Sequence, residues 1–240
     1  MDQTIQWFTE QLQTHQISLN EQQLTQLERY YELLVEWNEK MNLTGITERD
    51  AVYEKHFYDS ISLAFYVDMN SKRNIADIGS GAGFPSIPLK IVFPHLQVLI
   101  VDSLNKRIGF LKHLVEQLGL EDVQCVHGRA EDIARLPQYR DSYELVTARA
   151  VARLAVLNEF CLPFVTPGGL FASMKGASLS AELQEAKLSL RELKGVLVQE
   201  YELQLPNERS ERHIVCIQKM HPTPQKYPRK AGTPLKEPLI

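Results

Sequence analysis

Residues 74–90 read "NIADIGSGAGFPSIPLK": a short apolar run reaches Asp77, and glycines follow at 79, 81 and 83. Three glycines in five positions mark a backbone that takes positive φ or admits a close approach. Downstream, "FPSIPLKIVF" (84–93) has helical texture and "QVLIVDS" (97–103) is a second apolar run. "NKRIGFLKHLVEQLG" (105–119) is an amphipathic helix stopped by Gly119. Three more strands are expected at "VQCVHG" (123–128), "YELVTARA" (143–150) and "GLFASMKG" (169–176), with helices over 153–162 and 179–194. Strand and helix in alternation predict an α/β layer structure with a mostly parallel central sheet. "GVLVQEYELQL" (195–205) and "RHIVCIQK" (212–219) have only the turn-rich "PNERS" between them. They are expected to form an antiparallel hairpin at one edge.

Upstream the texture is helical. Leu24, Leu27, Tyr31, Leu34 and Met41 recur at helical spacing. Ser18 with Glu21 has the form of a capping box at the start of that helix. A second helix is expected after Asp50, carrying Phe57, Ile61, Ala64 and Phe65. The chain thus divides into a helical extension (1–70), an α/β domain (71–220) and a tail (221–240) whose five prolines are expected to keep it free of regular helix. Residues 1–70 hold 12 acidic and 4 basic side chains, whereas from Lys219 onward five basic residues face Glu237 alone. A polyanionic partner is expected to meet the tail and the basic side chains of the middle, not the first 70 residues. The 240 residues are 44% hydrophobic and 23% charged, ordinary values for a soluble domain. Nothing approaches the roughly 20 apolar residues of a membrane span. The first residues lack the pattern of a secretory signal. Cys125, Cys161 and Cys216 have no metal-ligand spacing, and a reducing, cytoplasmic setting is expected.

Ligands of open α/β sheets lie at the carboxyl ends of the strands. The dinucleotide fingerprint G-x-G-x-x-G would need glycine at 84, where Phe84 stands. A pyrophosphate seeks N–H donors and a positive helix end, and Asp77 at the loop entrance is unwelcome to it. The same carboxylate suits a ligand bearing an ammonium group. S-adenosylmethionine is such a ligand, with an amino group, a carboxylate, a sulfonium and no phosphate. Asp102 ends the second strand, 23 residues beyond Gly79, near the roughly 20 expected for a carboxylate that takes ribose hydroxyls. Asp77, Gly79, Gly81, Gly83 and Asp102 are therefore the candidate donor contacts of a Rossmann-like methyltransferase fold.

"WNEKMNLTGI" (37–46), "DIGSGAGFP" (77–85), "VDSLNKRIGFL" (101–111), "GRAED" (128–132), "TARAVARL" (147–154), "MKG" (174–176) and "YPRKAGTPLKEPL" (227–239) carry a resemblance. From about Leu24 to the end, the chain resembles the bacterial small-subunit (16S) ribosomal RNA guanine-N7 methyltransferases, also called the glucose-inhibited division protein B family. The tail motif is its most specific part. One departure is Ser86, where that family usually has glycine. The resemblance implies that Gly79 and Phe84 lie along the methyl donor, that Ala130 and Glu131 reach its adenine, and that Arg149 faces the site as a catalytic candidate. The backbone N–H of Ala130 and the carboxylate of Glu131 match an adenine's acceptor and exocyclic amine.

The implied chemistry suits what is missing. No cysteine sits in a cytosine-C5 motif, and "TARAV" lacks the prolines and aromatic of adenine-N6 enzymes. Guanine N7 has an in-plane lone pair and no proton, so it attacks without a general base. Lys106, Arg107, Arg153, Lys175, Lys226, Arg229 and Lys230 are the candidate contacts to RNA phosphates. Deleting the tail is then expected to weaken RNA binding and spare donor binding. The substrate is expected to be 16S rRNA or the small subunit, with the protein acting as a monomer. Other readings are a methyltransferase on another RNA or a small molecule, a non-catalytic RNA-binding factor that keeps a nucleoside pocket, and a nicotinamide oxidoreductase, which Phe84 disfavours.

Overall fold

The computed structural model describes residues 2–176 and 179–240. Helices α1 (Gln3–Gln13) and α2 (Glu21–Met41) lead to α3 (Arg49–Val52), which continues as a π-helical turn (Tyr53–Tyr58) into α4 (Asp59–Ile61). Strands and helices then alternate: β1 (Asn74–Ile78), α5 (Ser86–Val92), β2 (Gln97–Asp102), α6 (Asn105–Gln117), β3 (Val123–His127), α7 (Ala130–Ile133), β4 (Tyr143–Arg149), α8 (Leu154–Cys161) and β5 (Val165–Lys175). Helices α9 (Leu179–Glu185) and α10 (Lys187–Leu193), strands β6 (Gly195–Gln204) and β7 (Glu211–Lys219), and α11 (Thr233–Lys236) follow. The sheet runs β3-β2-β1-β4-β5-β7-β6, and only β7 runs opposite to the other strands. The expected hairpin is present, with β7 inserted between β5 and β6.

Strand order reverses between β1 and β4, so the carboxyl ends of these two strands flank the switch point where a ligand crevice belongs. Alternate side chains of the central strands enter separate cores. Ile75, Val98 and Ile100 face one core; Ala76, Ile78, Leu99 and Val101 face the other. The N-terminal helices join the first through Phe8, Leu12, Leu27, Tyr30, Leu33 and Leu34. Tyr227 of the tail joins the second, with α8. Among the described residues, no helix is long and apolar enough to cross a membrane.

Three local expectations need correction. Asn20, not Ser18, caps α2: its side chain accepts from Gln23 N–H and the Gln23 side chain accepts from Asn20 N–H, both at 2.9 Å. An amide two residues further on closes the same reciprocal box, so the helix begins later. The buried face of α2 centres on Tyr30 and Leu33, leaving Leu24 and Tyr31 half-buried. Tyr30 turns inward because its hydroxyl donates to Ala82 O at 2.6 Å, beneath the glycine loop. Finally, the proline-rich tail does contain a short helix, α11, with Pro234 in its first turn, where the missing N–H costs nothing.

Candidate functional site

All three loop glycines have positive φ, at +75°, +62° and +106° for Gly79, Gly81 and Gly83. What approaches differs at each. A Cβ on Gly83 would lie 2.7 Å from Tyr30 Oη, and one on Gly79 would lie 2.8 Å from a Val151 methyl. At Gly81 a Cβ would meet nothing within 4 Å. Two glycines admit the protein itself, and Gly81 faces open space.

The acidic residues have already claimed the loop's donors. Asp77 Oδ2 accepts from Ser86 N–H at 3.2 Å and Ser86 Oγ–H at 2.6 Å, at the start of α5. Asp102 Oδ2 accepts from Gly81 N–H at 3.1 Å and its Oδ1 from Leu104 N–H at 2.8 Å. A phosphate would need those N–H groups and would meet two carboxylates. The loop is therefore built against a diphosphate. Ser86 is helical, outside the positive-φ residues, and its hydroxyl adds a bond to Asp77 that glycine would lack. Asp77 is fully buried, and burial lifts its carboxyl to about 7 against the opposing Ser86 bonds. Its Oδ1 has no partner, an enclosed acceptor suited to an ammonium or a bound water.

Beside the loop is a crevice of about 210 Å³, lined by Gly79, Ser103, Ala130, Glu131, Val151 and Leu235 among others. Asp102 sits between two lining residues, Val101 and Ser103. Glu131 is buried and accepts from Gly232 N–H at 2.8 Å, so the tail helps to shape this wall. Gly83 and Phe84, expected as donor contacts, do not line this crevice; both pack against Tyr30. The lining fits a phosphate-free nucleoside: small residues and carboxylates at the strand ends, with open space at Gly81. Gly79, Gly81, Asp102, Ala130 and Glu131 would hold S-adenosylmethionine there. Val151, Phe160 and Leu235 were not anticipated, because they come from distant loops and helices and look in sequence like ordinary apolar residues.

A second cavity, of about 420 Å³, opens across the turn after β4. Arg149 and Ala150 line it, while Val151 lines the first, so the two adjoin at consecutive residues. Arg149 Nη1 donates to Asp59 Oδ2 at 2.7 Å and to Lys55 O at 3.1 Å, and its guanidinium lies 4.9 Å from the Phe84 ring centroid. Asp59 is almost fully buried. Arg212 Nε lies 3.2 Å from Asp59 Oδ1 without hydrogen-bond alignment, so one carboxylate serves two arginines. His56 also lines the cavity, and burial together with the Arg149 guanidinium holds its imidazole down to about 3. His56, Asp59 and Arg212 escaped the sequence reading. For His56 and Asp59 the available signal was "EKHFYDS" (54–60), polar residues interrupting an apolar helix stripe, where the π-helical turn runs up to Asp59; Arg212 reaches the cavity from β7.

The candidate phosphate contacts are scattered. Lys175 lines the second cavity but donates to Glu182 at 2.7 Å and Ala152 O at 2.5 Å. Arg107 approaches Asp102 at 3.6 Å, Arg153 pairs with Glu185 at 2.6 Å, and Lys226 pairs with Glu192 at 2.8 Å. Arg229 is spent on the buried Glu159, through bonds of 2.7 to 3.1 Å. Lys219, counted by sequence with the basic tail, is buried in β7 against Asp141. Lys106 and Lys230 are exposed.

The chain as a whole has counterparts among known proteins. The fold is shared with TYW2 from M. jannaschii, solved in complex with AdoMet, at TM-score 0.54 and 12% identity over 69% of this chain and 76% of that one. It is shared also with TrmN from Thermus thermophilus, at TM-score 0.53 and 16% identity over 70% and 53%. The chain is 55% identical over 237 residues to the ribosomal RNA small subunit methyltransferase G of Staphylococcus carnosus, covering 98% of this chain and 99% of that protein. The namesake from Exiguobacterium sibiricum is 54% identical, covering 98% of each. Residues 23–215 match the sequence profile of the family described as GidB, rRNA small subunit methyltransferase G. With that match spanning most of the molecule and relatives alike from end to end, the chain belongs to the rRNA small subunit methyltransferase G family.

Proposed function

We infer that this protein transfers a methyl group from S-adenosylmethionine to N7 of a guanine in 16S ribosomal RNA of the small subunit. The observation that supports this most is the pair of cavities meeting at Arg149, Ala150 and Val151: one is phosphate-averse and nucleoside-sized, the other large enough for a purine. Bound in the first, the donor supplies an electrophilic methyl group on sulfur.

The chain's own residues have a modest chemical task. Guanine N7 has no proton to remove, so the site needs to hold the base, orient its lone pair and exclude water. Such alignment is worth up to about 7–11 kcal/mol of the barrier. Neither His56 nor Asp59 is poised as a general base. His56 has both ring nitrogens engaged, Nε2 at 2.8 Å from Thr44 Oγ1 and Nδ1 beside Lys55 O and Arg149. Asp59 is committed to its two arginines. Arg149, fixed by Asp59 and Lys55 O, is the cation at the junction of the cavities and positions whatever bridges them.

The test is transfer of labelled methyl to small subunits from cells lacking the modification, followed by mapping of the labelled nucleotide. Label at a single guanine N7 is the expected result. Label on another base, or only on a small molecule, overturns the reading.

A further inference from the structure

A column of three rings ends at the second cavity. Tyr30 stacks on Phe84 with centroids 5.3 Å apart and planes 18° apart, and Phe84 stacks on His56 at 4.5 Å and 22°. The first two rings are buried, and His56 is the one that reaches the cavity. One face of its imidazole is covered by Phe84. Its ring nitrogens are taken by Thr44, Lys55 O and Arg149. The opposite face is what remains for a ligand.

We propose that the target guanine stacks on the open face of His56, as the fourth ring of the column Tyr30–Phe84–His56. This assigns a binding surface to the acceptor base and rests on the function inferred above. The middle ring, Phe84, directly follows the glycine loop, so the platform is anchored to the element that bears the donor crevice. A base seated on it is held by stacking, which is sequence-tolerant and strong for an unpaired base. The charge state of the ring matters as well. N7-methylation leaves the guanine cationic, and an imidazolium beneath it would repel the product. Burial and Arg149 keep His56 neutral, and a neutral aromatic face attracts a cation instead. Asp59, shared between Arg149 and Arg212, offsets one of the two positive charges that these residues bring to the cavity.

The experiment compares wild type, His56→Ala and His56→Phe in methyl transfer to unmethylated small subunits, with donor affinity measured in parallel by calorimetry. Loss of one base–aromatic stack is expected to lower kcat/KM for subunits by about 5- to 150-fold in His56→Ala. His56→Phe, which keeps a neutral ring, is expected to recover most of that loss, and donor Kd is expected to be the same in all three. An unchanged donor Kd also shows that the variants are folded. The platform is overturned if His56→Ala retains full kcat/KM, or if His56→Phe is as impaired as His56→Ala. It is overturned equally if donor Kd weakens alongside, for then His56 acts through Phe84 on the donor loop. A wild type that labels no subunit guanine defeats the functional reading itself, which separates the two failures.

Discussion

Asp77 is wholly enclosed; burial outweighs the support that Ser86, Ser80 and the Arg149 charge give its ionised form, and Oδ1 has no hydrogen-bond partner. Its carboxyl rises from 3.8 to about 7, so the folded state binds a proton that the unfolded chain has released. The sign follows from linkage: the contribution is present below 3.8 and is lost as pH rises through 7. Between pH 5.5 and 8 the wild type should lose about 2 kcal/mol more stability than Asp77→Asn, a difference that denaturant titrations at the two pH values will measure. If the free oxygen serves the donor's ammonium, the same variant binds S-adenosylmethionine more weakly, so stability and affinity move in opposite directions. Asp102 differs, because its carboxylate already fixes two loop N–H groups. Asp102→Ala should weaken donor binding by about 1.5–3 kcal/mol, read by calorimetry; unchanged affinity removes Asp102 from the crevice. The glycines and these carboxylates were legible in sequence because loop, strand end and spacing are local properties. His56, Asp59 and Arg212 were not, since they meet only after the π-helical turn, α4 and β7 are brought to one cavity, and in isolation each resembles a solvated polar residue.

At the scale of elements, the strands were easy to locate, because a parallel strand buried on both faces is a short, nearly continuous apolar run. Helix phase was harder. A stripe through Tyr31 and one through Tyr30 fit the spacing almost equally, and the choice is made by a hydrogen bond to a loop more than fifty residues away. The N-terminal cap was ambiguous for a similar reason, since Ser18/Glu21 and Asn20/Gln23 both have the spacing of a capping box. The two are separable by experiment. Asn20→Ala should destabilise the protein by about 1 kcal/mol, whereas Ser18→Ala should leave the denaturation midpoint unmoved.

Across the whole molecule, the tail departs furthest from its sequence reading. Its charge suggested an arm for RNA, yet Arg140 donates to the carbonyls of Thr223, Pro224 and Tyr227, Glu159 holds Arg229, and Gly232 bonds Glu131 at the crevice. Composition reports charge but not which charges will be neutralised by partners distant in sequence. Deleting residues 221–240 should therefore lower Tm, because Glu159 and Glu131 both lose their partners, and weaken donor binding by about tenfold through Glu131 at the crevice; calorimetry on the truncated chain checks it. The place of β7 between β5 and β6 has an effect on assembly. Strand β6 reaches the sheet only through β7, so β5 is covered only when β7 docks on it. Until that happens β5 presents "LFASMK" as a bare, apolar rim, a template on which another unfinished copy can zip up. Substitutions that slow the docking of β7 will therefore show themselves first as precipitation during refolding, before any loss in the finished enzyme.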